Sequence, residues 1–483
     1  MKDRQRMIYL IGGAAVLLAL VIILAISCSS ADRAAKNTAT PLSDAAALYQ
    51  SAVDAVSSTE NLTLTISQTK ETIIGSEAFM EQSEQTVAYE GLGTERPRGM
   101  MQESLTIGTH TVSIQELFAD GVGYFTVADA NFQGTLTFEE YLARYAPVAP
   151  LNADMYESIS GVATGDTSII TFAKASGIEA WCAESGTQFV SADGTAYISE
   201  SGQLTKSIYH VSYTLNEIYF RLSTTVEISY AQVSPITPPE DTSIYKPITY
   251  LDAPRMLEKA CGHLLKAVSV TASYSDSISC QAFGDQRTQT ISISSVNAAD
   301  WSARIDTTVE LINSSKVGTV DKFTQSERFL DNVYSVTVDG GEPAKNSEID
   351  ADSMRQYCQD LLVGTIMLPQ YILNAELSET EDAYHIKFTA SEEFAQLIRA
   401  EACTTLYQDA QILSRQTESY TTDVISCYLT VHKPTGLPAA SGFCYQGTYT
   451  IGELPYQLHF QADQQYDLLN DTAHSNIKEE AGA

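Results

Sequence analysis

Leu251-Asp252-Ala253-Pro254, followed at helical spacing by Leu257, Cys261, Leu264 and Leu265 and then by the alternating run Val268-Ser269-Val270-Thr271-Ala272, decides how this chain is organised. Asp252 suits an N-cap, and Pro254 falls in the first turn, where its missing N–H costs nothing. The chain has already run this pattern once. Leu42-Ser43-Asp44 leads to Leu48, Ala52, Val53 and Val56, and then to Leu62-Thr63-Leu64-Thr65-Ile66. Spacing of 3.6 giving way to spacing of 2 predicts a helix feeding a sheet in both places.

The comparison extends outward from there. Glu116-Leu117-Phe118-Ala119-Asp120-Gly121-Val122 answers to Glu327-Arg328-Phe329-Leu330-Asp331-Asn332-Val333, each a hairpin whose tight turn needs positive φ. A middle helix follows, opened by the capping box Thr137-Phe138-Glu139-Glu140 in the first block and by Ser353-Met354-Arg355-Gln356 in the second. Asp166-Thr167-Ser168-Ile169-Ile170-Thr171-Phe172 corresponds to Asp382-Ala383-Tyr384-His385-Ile386-Lys387-Phe388. Further helices are expected after Ser176 with Glu179 and after Ser391 with Glu392 and Glu393. Tyr197-Ile198 approaching Gly202 then matches Tyr428-Leu429 approaching Gly436. The common order reads as a tandem duplication.

The expected divisions are an anchor over 1–28, a tether over 29–41, a first module over 42–233, a Pro-rich linker over 234–249, a second module over 250–470 and a disordered tail over 471–483. The linker is marked by Pro235, Pro238 and Pro239.

The anchor is read from the N-terminus. Lys2, Arg4 and Arg6 precede a run from Met7 to Ser27 that carries no charge, long enough to cross about 30 Å of hydrocarbon as a helix. It ends in Leu24-Ala25-Ile26-Ser27-Cys28, which resembles a bacterial lipobox with leucine one place too far from the cysteine. Two readings stand: a lipoprotein attached through Cys28, or an uncleaved single-pass anchor. Both put the rest of the chain on the extracytoplasmic face of a membrane.

Helix, antiparallel strands, helical insertion and returning strands, together with the lipobox, resemble the half-barrel of the lipoprotein-carrier superfamily, the LolA/LolB and LppX/LprG type. The resemblance implies an α+β fold: two tandem curved antiparallel β-sheet half-barrels with packed helices, each able to shelter a lipid or acyl chain. It carries no diagnostic motif, so it transfers no functional residue.

Composition excludes other classes. The chain has 28 basic and 60 acidic side chains, a net −32, the opposite of the basic footprint that nucleic acid requires. Charged residues make up only 18%, so the acidity reads as a solvated exterior on a strand-rich exported protein. His110, His210, His263, His385, His432, His459 and His474 show no zinc spacing, and no GxSxG elbow, Walker loop or GxGxxG occurs. Glu139-Glu140 and Glu392-Glu393 read as first-turn charges meeting a helix dipole. Asp120, Asp193 and Asp339, each before glycine, read as turn residues. No enzyme, cofactor or metal is expected.

Cys427 and Cys444 flank Pro434-Thr435-Gly436-Leu437 almost symmetrically, which suits either a cross-strand disulfide or two small buried hydrophobes. Cys182, Cys261, Cys358 and Cys403 fall in expected helices. Two apolar stripes remain: Phe138, Tyr141, Leu142 and Tyr145 in the first block, and Met354, Tyr357, Leu361, Met367 and Tyr371 in the second. Each suits ordinary helix-on-sheet packing or a lid over a hydrophobic ligand. The function expected is a membrane-anchored binding lipoprotein. The alternative is a non-catalytic envelope scaffold, sensor or protein-interaction module whose partners the sequence does not name.

Overall fold

The computed structural model describes residues 39–75, 77–145, 153–175, 187–215, 218–267, 269–280, 285–296, 301–312, 320–331, 333–346, 349–405, 419–451 and 453–468. The apolar N-terminal run with Cys28, the expected helix at Ser176, Cys182 and the expected tail lie outside them.

After the two-residue strand β1 (Thr40–Pro41), helix α1 (Ala45–Ser57) begins at Asp44, whose carboxylate accepts the Ala47 N–H at 3.2 Å. Six strands follow: β2 (Leu62–Ile74), β3 (Glu77–Glu90), β4 (Arg98–Ile107), β5 (His110–Ala119), β6 (Val122–Val127) and β7 (Ala130–Thr135). Helix α2 (Phe138–Tyr145) opens on the expected capping box, Thr137 N–H donating to Glu140 Oε2 at 2.7 Å and Glu140 N–H donating to Thr137 Oγ1 at 3.2 Å. The first half then returns through β8 (Tyr156–Thr164), β9 (Thr167–Ala175), β10 (Thr187–Ser199), β11 (Leu204–Leu215) and β12 (Ile218–Ser229).

Past β13 (Lys246–Pro247), helix α3 (Ala253–Lys266) leads into β14 (Ser269–Cys280), β15 (Asp285–Val296), β16 (Ser302–Ile312), β17 (Val320–Leu330), β18 (Val333–Val338) and β19 (Ala344–Asn346). Helix α4 (Ala351–Val363), β20 (Ile372–Glu379), β21 (Ala383–Ala390), helix α5 (Glu392–Thr405), β22 (Ser419–His432), β23 (Pro438–Ile451) and β24 (Leu454–Asp467) complete it.

These strands form two large sheets. The first is ordered β1-β8-β9-β10-β11-β12-β2-β3-β4-β5-β6-β7-β13, the second β19-β18-β17-β16-β15-β14-β24-β23-β22-β21-β20. Without the two-residue edges β1 and β13, the first order becomes the second when every strand number is advanced by twelve and the sheet is viewed from its other end. In each half the last strand closes onto the first, β12 onto β2 and β24 onto β14. Neither sheet closes on itself, so the architecture is α+β with two open, almost wholly antiparallel sheets. The exception is β13, which runs parallel to β7.

Turn chemistry explains the hairpins. Asp120 and Gly121 both take positive φ between β5 and β6, and Asp331 does so between β17 and β18. Asp193-Gly194 is not a turn: it lies inside β10, paired with β9 and β11. Gly194 is needed there because a Cβ would strike Phe172 and the Ile208 carbonyl.

The segment over 234–249 is held against the first sheet. Glu90 accepts the Ile236 N–H at 2.8 Å, Arg98 donates to the Ile236 carbonyl at 2.6 Å, and Ile236 and Ile248 are buried. Thr40 and Pro41, at the end of the expected tether, pair with Ala163 and Val162 of β8. The prolines stop regular structure but leave enough N–H and C=O groups to pin an edge.

The core does not respect the midpoint of the sequence. One apolar cluster joins Leu64, Val87, Phe125 and Tyr141 of the first half to Leu257, Phe388, Phe443 and Phe460 of the second. Another joins Phe79 to Leu264, Trp301, Phe329 and Leu437.

Candidate functional site

Helix α3 is where the two halves meet. No residue of it is exposed, because it packs on β4 and β5 of the first sheet, on β23 of the second and on α4. Residues four apart share a helix face, and α3 presents Arg255, Lys259 and His263 in one row. The inward face of the first sheet presents carboxylates to that row. In β3 the inward set is Phe79, Glu81, Ser83, Gln85 and Val87; in β4 it includes Met101, Glu103 and Leu105; in β5, Ile114, Glu116 and Phe118.

The pairs are short. Arg255 Nη2 lies 2.6 Å from Glu103 Oε2, Lys259 Nζ 2.5 Å from Glu81 Oε2, and His263 Nε2 3.1 Å from Glu81 Oε1. Ser83 and Gln85 also donate to Glu103, at 2.6 and 3.0 Å. At the helix start Arg144 bridges Glu116 at 3.0 Å and Asp252 at 3.1 Å, while Tyr145 donates to Glu116 at 2.6 Å. Asp252 holds the N-cap position but makes no side-chain cap bond, because its carboxylate turns to Arg144 instead.

These carboxylates titrate differently. Burial works against ionisation of Glu81, yet Lys259, His263 and Lys70 outweigh it and hold the carboxyl well below its ordinary range. At Glu116 burial prevails over Arg144 and Tyr145, and the pKa is raised. Such a paired, largely buried row joins the helix of the second half to the sheet of the first.

The turn between β22 and β23 completes the filling of the first sheet. Lys70 reaches the Thr435 carbonyl at 3.5 Å, Thr435 and Leu437 are buried, and Leu437 joins Phe79 in the core. Tyr141 and Tyr145 are buried in the other core cluster, with Phe138 and Leu142 partly buried against it. Tyr141 lies over the bare backbone of Gly99, where any Cβ would overlap its ring. The stripe on α2 therefore packs into the interior through Tyr141 and Tyr145, with Phe138 and Leu142 partly buried.

Two cavities remain relevant. A cleft of about 520 Å³ opens between β5, α3 and the segment after α4, walled by Val112, Leu257, Val363, Ile366, Met367 and Leu368. His110 and Glu258, paired at 2.8 Å, and Cys261 also line it. Burial, with Glu258 adding to it, pushes the Cys261 thiol up to about 11, so it stays protonated and is a poor nucleophile at neutral pH. A second cavity, about 300 Å³, lies against the second sheet and is lined by Tyr357 and Leu361 among others.

The second stripe thus divides. Met367 lines the inter-half cleft, Tyr357 and Leu361 line the second cavity, Met354 is core, and Tyr371 packs on Phe394 at 5.6 Å. Cys427 and Cys444 do not form a disulfide. Both are free, and the register pairs Cys427 with Phe443 and Cys444 with Ser426. A one-residue offset on neighbouring strands sends the two side chains to opposite faces. Cys358 is buried in α4 and Cys261 half-buried in α3.

No protein-family model matches the sequence, and no curated protein matches it. Among solved structures, LprF from Mycobacterium bovis aligns at 10% identity over 41% of this chain and 99% of that one, with a TM-score of 0.24. OprD from Pseudomonas aeruginosa aligns at 7% identity over 84% of this chain and 94% of that one, with a TM-score of 0.11, and OccK5 (OpdH) of the same organism at 5%, 84%, 97% and 0.10. At such values the overlays carry no functional argument, and the reading of this chain rests on its own geometry.

Proposed function

We propose that this chain is a membrane-anchored, extracytoplasmic, non-catalytic binding protein, and that the cleft between its halves takes a hydrophobic ligand. One observation carries the reading: an open cleft of about 520 Å³ with an apolar wall of Leu, Ile, Val and Met side chains, faced by a polar side that holds the His110–Glu258 pair together with Thr, Ser, Gln and Asp residues of the first sheet. Ligand sites have this size and character, and methionine adapts to varied shapes. An anchor formed by the N-terminal apolar run, as this reading has it, keeps the cleft near a source of lipid. We infer that the two halves descend from one duplicated half-barrel, which their common strand order supports.

The test uses the full-length chain purified in maltoside micelles and native mass spectrometry of whatever lipid remains bound. Leu368, 51% exposed at the cleft, can be changed without opening the core. The expected result is one bound lipid in the wild type and at least tenfold lower occupancy in Leu368→Glu. Absence of lipid from the wild type, or equal occupancy in both, sinks the proposal. Fatty-acid labelling that disappears in Cys28→Ala selects the lipidated anchor over the retained helix.

A scaffold reading also has an observation in its favour, because α3 and the Thr435 turn fill the inward face of the first sheet. It predicts protein crosslinks in cells, and recovery of none counts against it.

A further inference from the structure

The cavity of about 300 Å³ on the second sheet differs in chemistry from the cleft. Ile291, Leu361 and Phe443 form apolar walls, and Tyr357 of α4 stands exposed among its lining residues. Asp276 of β14 also lines it, with a side chain only 3% exposed. Its Oδ2 accepts from Tyr274 Oη at 2.9 Å and from Arg287 Nη2 at 3.3 Å. Its Oδ1 is buried and has no hydrogen-bond partner among the described residues. A buried acceptor left unmet is costly and rare.

Arg287 balances one negative charge, but Asp360 and Glu401 line the same cavity, so its walls are net acidic. Among the described residues no three potential ligands are grouped to hold a metal ion. Matching Leu62-Thr63-Leu64-Thr65-Ile66 to Val268-Ser269-Val270-Thr271-Ala272 sets Lys70 at the position of Asp276, so an acid at this position belongs to the second half alone.

We propose that this cavity binds an organic cation, a primary ammonium group on a short apolar body. An ammonium donates to the unmet Oδ1, while the rings of Tyr274, Tyr357 and Phe443 offer negative faces to the positive head. A carboxylate ligand would meet three acids against one guanidinium, and a neutral apolar ligand would leave Oδ1 unpaired. The proposal does not depend on what the inter-half cleft holds.

Isothermal titration of the full-length chain in maltoside micelles with n-butylammonium chloride tests it, with n-butanol and sodium butyrate as neutral and anionic matches. The expected result is saturable one-to-one binding of n-butylammonium alone, weakened at least tenfold in Asp276→Asn. Glu401→Gln, on the exposed part of α5, is expected to weaken it about threefold and guards against misfolding of the first variant. Absence of saturable binding, equal binding of butyrate, or unchanged affinity in both variants overturns the proposal. Dihexanoyl phosphatidylethanolamine that competes with n-butylammonium, where the phosphatidylglycerol analogue does not, assigns the cation to a lipid head group. Failure of both to compete assigns it to a soluble amine.

Discussion

Arg255 donates to Glu103 at 2.6 Å across the boundary between the two halves, and both side chains are largely withdrawn from water. Removing one member of such a pair leaves the other charged and buried, at a cost of about 3–5 kcal/mol. Arg255→Ala is therefore expected to lower stability by about that amount in urea unfolding. The double change Arg255→Met with Glu103→Met should recover most of the loss, because apolar groups of similar size do not need pairing. A double variant as unstable as the single one would mean that the pair is not what joins the halves.

Glu81 should make the molecule acid-labile. Its folded pKa is depressed, so its contribution is complete above the unfolded carboxyl's ordinary value, about 4.3, and is lost as pH falls through the lowered folded value. Glu81→Gln should be less stable than wild type at pH 7 and show a shallower fall in stability between about pH 4.5 and pH 2. Glu116 acts with the opposite sign: its raised folded pKa opposes stability above that value, and protonation relieves the opposition. Urea midpoints measured from about pH 2 to about pH 7 for wild type, Glu81→Gln and Glu116→Gln check both signs, Glu81 acting below the ordinary carboxyl value and Glu116 above it.

Cys427 and Cys444 should remain separate thiols after exposure to air. Burial pushes the Cys427 thiol up to about 12, so alkylation at pH 8 should be slow in the folded chain and rapid in urea. Cys427→Ser places a hydroxyl in a buried apolar position and should cost about 1–3 kcal/mol, whereas Cys444→Ser should stay within about 0.5 kcal/mol of wild type. A non-reducing peptide map containing a 427–444 crosslink would overturn the register.

Gly99 and Tyr141 are coupled through space. Gly99→Ala forces a methyl into the ring of Tyr141, which has no room to retreat, and should destabilise by about 1–3 kcal/mol. Tyr141→Leu in the Gly99→Ala background relieves the overlap, so the two effects should be less than additive in thermal unfolding. Full additivity would argue against the close approach.

Much of the fold was legible in the residues themselves. Hydrophobic spacing at 3.6 and then at 2 located α1, α3 and the strands after them. Asp120-Gly121 and Thr137 with Glu140 marked a turn and a helix start correctly, because positive φ and orphan N–H groups are satisfied within a few residues. Asp193-Gly194 misled for the same reason in reverse: the glycine answers to Phe172 on a neighbouring strand, which no local pattern reveals. The Cys427–Cys444 symmetry failed because a one-residue difference in register changes the face on which a side chain stands.

The site was less legible, although a signal was present. Arg255, Lys259 and His263 recur every four residues in α3, and Glu81, Glu103 and Glu116 interrupt otherwise uncharged inward positions of three strands. Either pattern alone suits a solvated surface, since ionic side chains declare nothing about their partners until the chain is folded.

The sequence by itself determined a repeated helix-and-strand unit and an acidic exterior, because these follow from local spacing and summed charge. Tertiary structure alone decided that the second unit's opening helix would lie against the first unit's sheet. That choice rests on burying charges and apolar groups more than 100 residues apart, which only their meeting in space can balance.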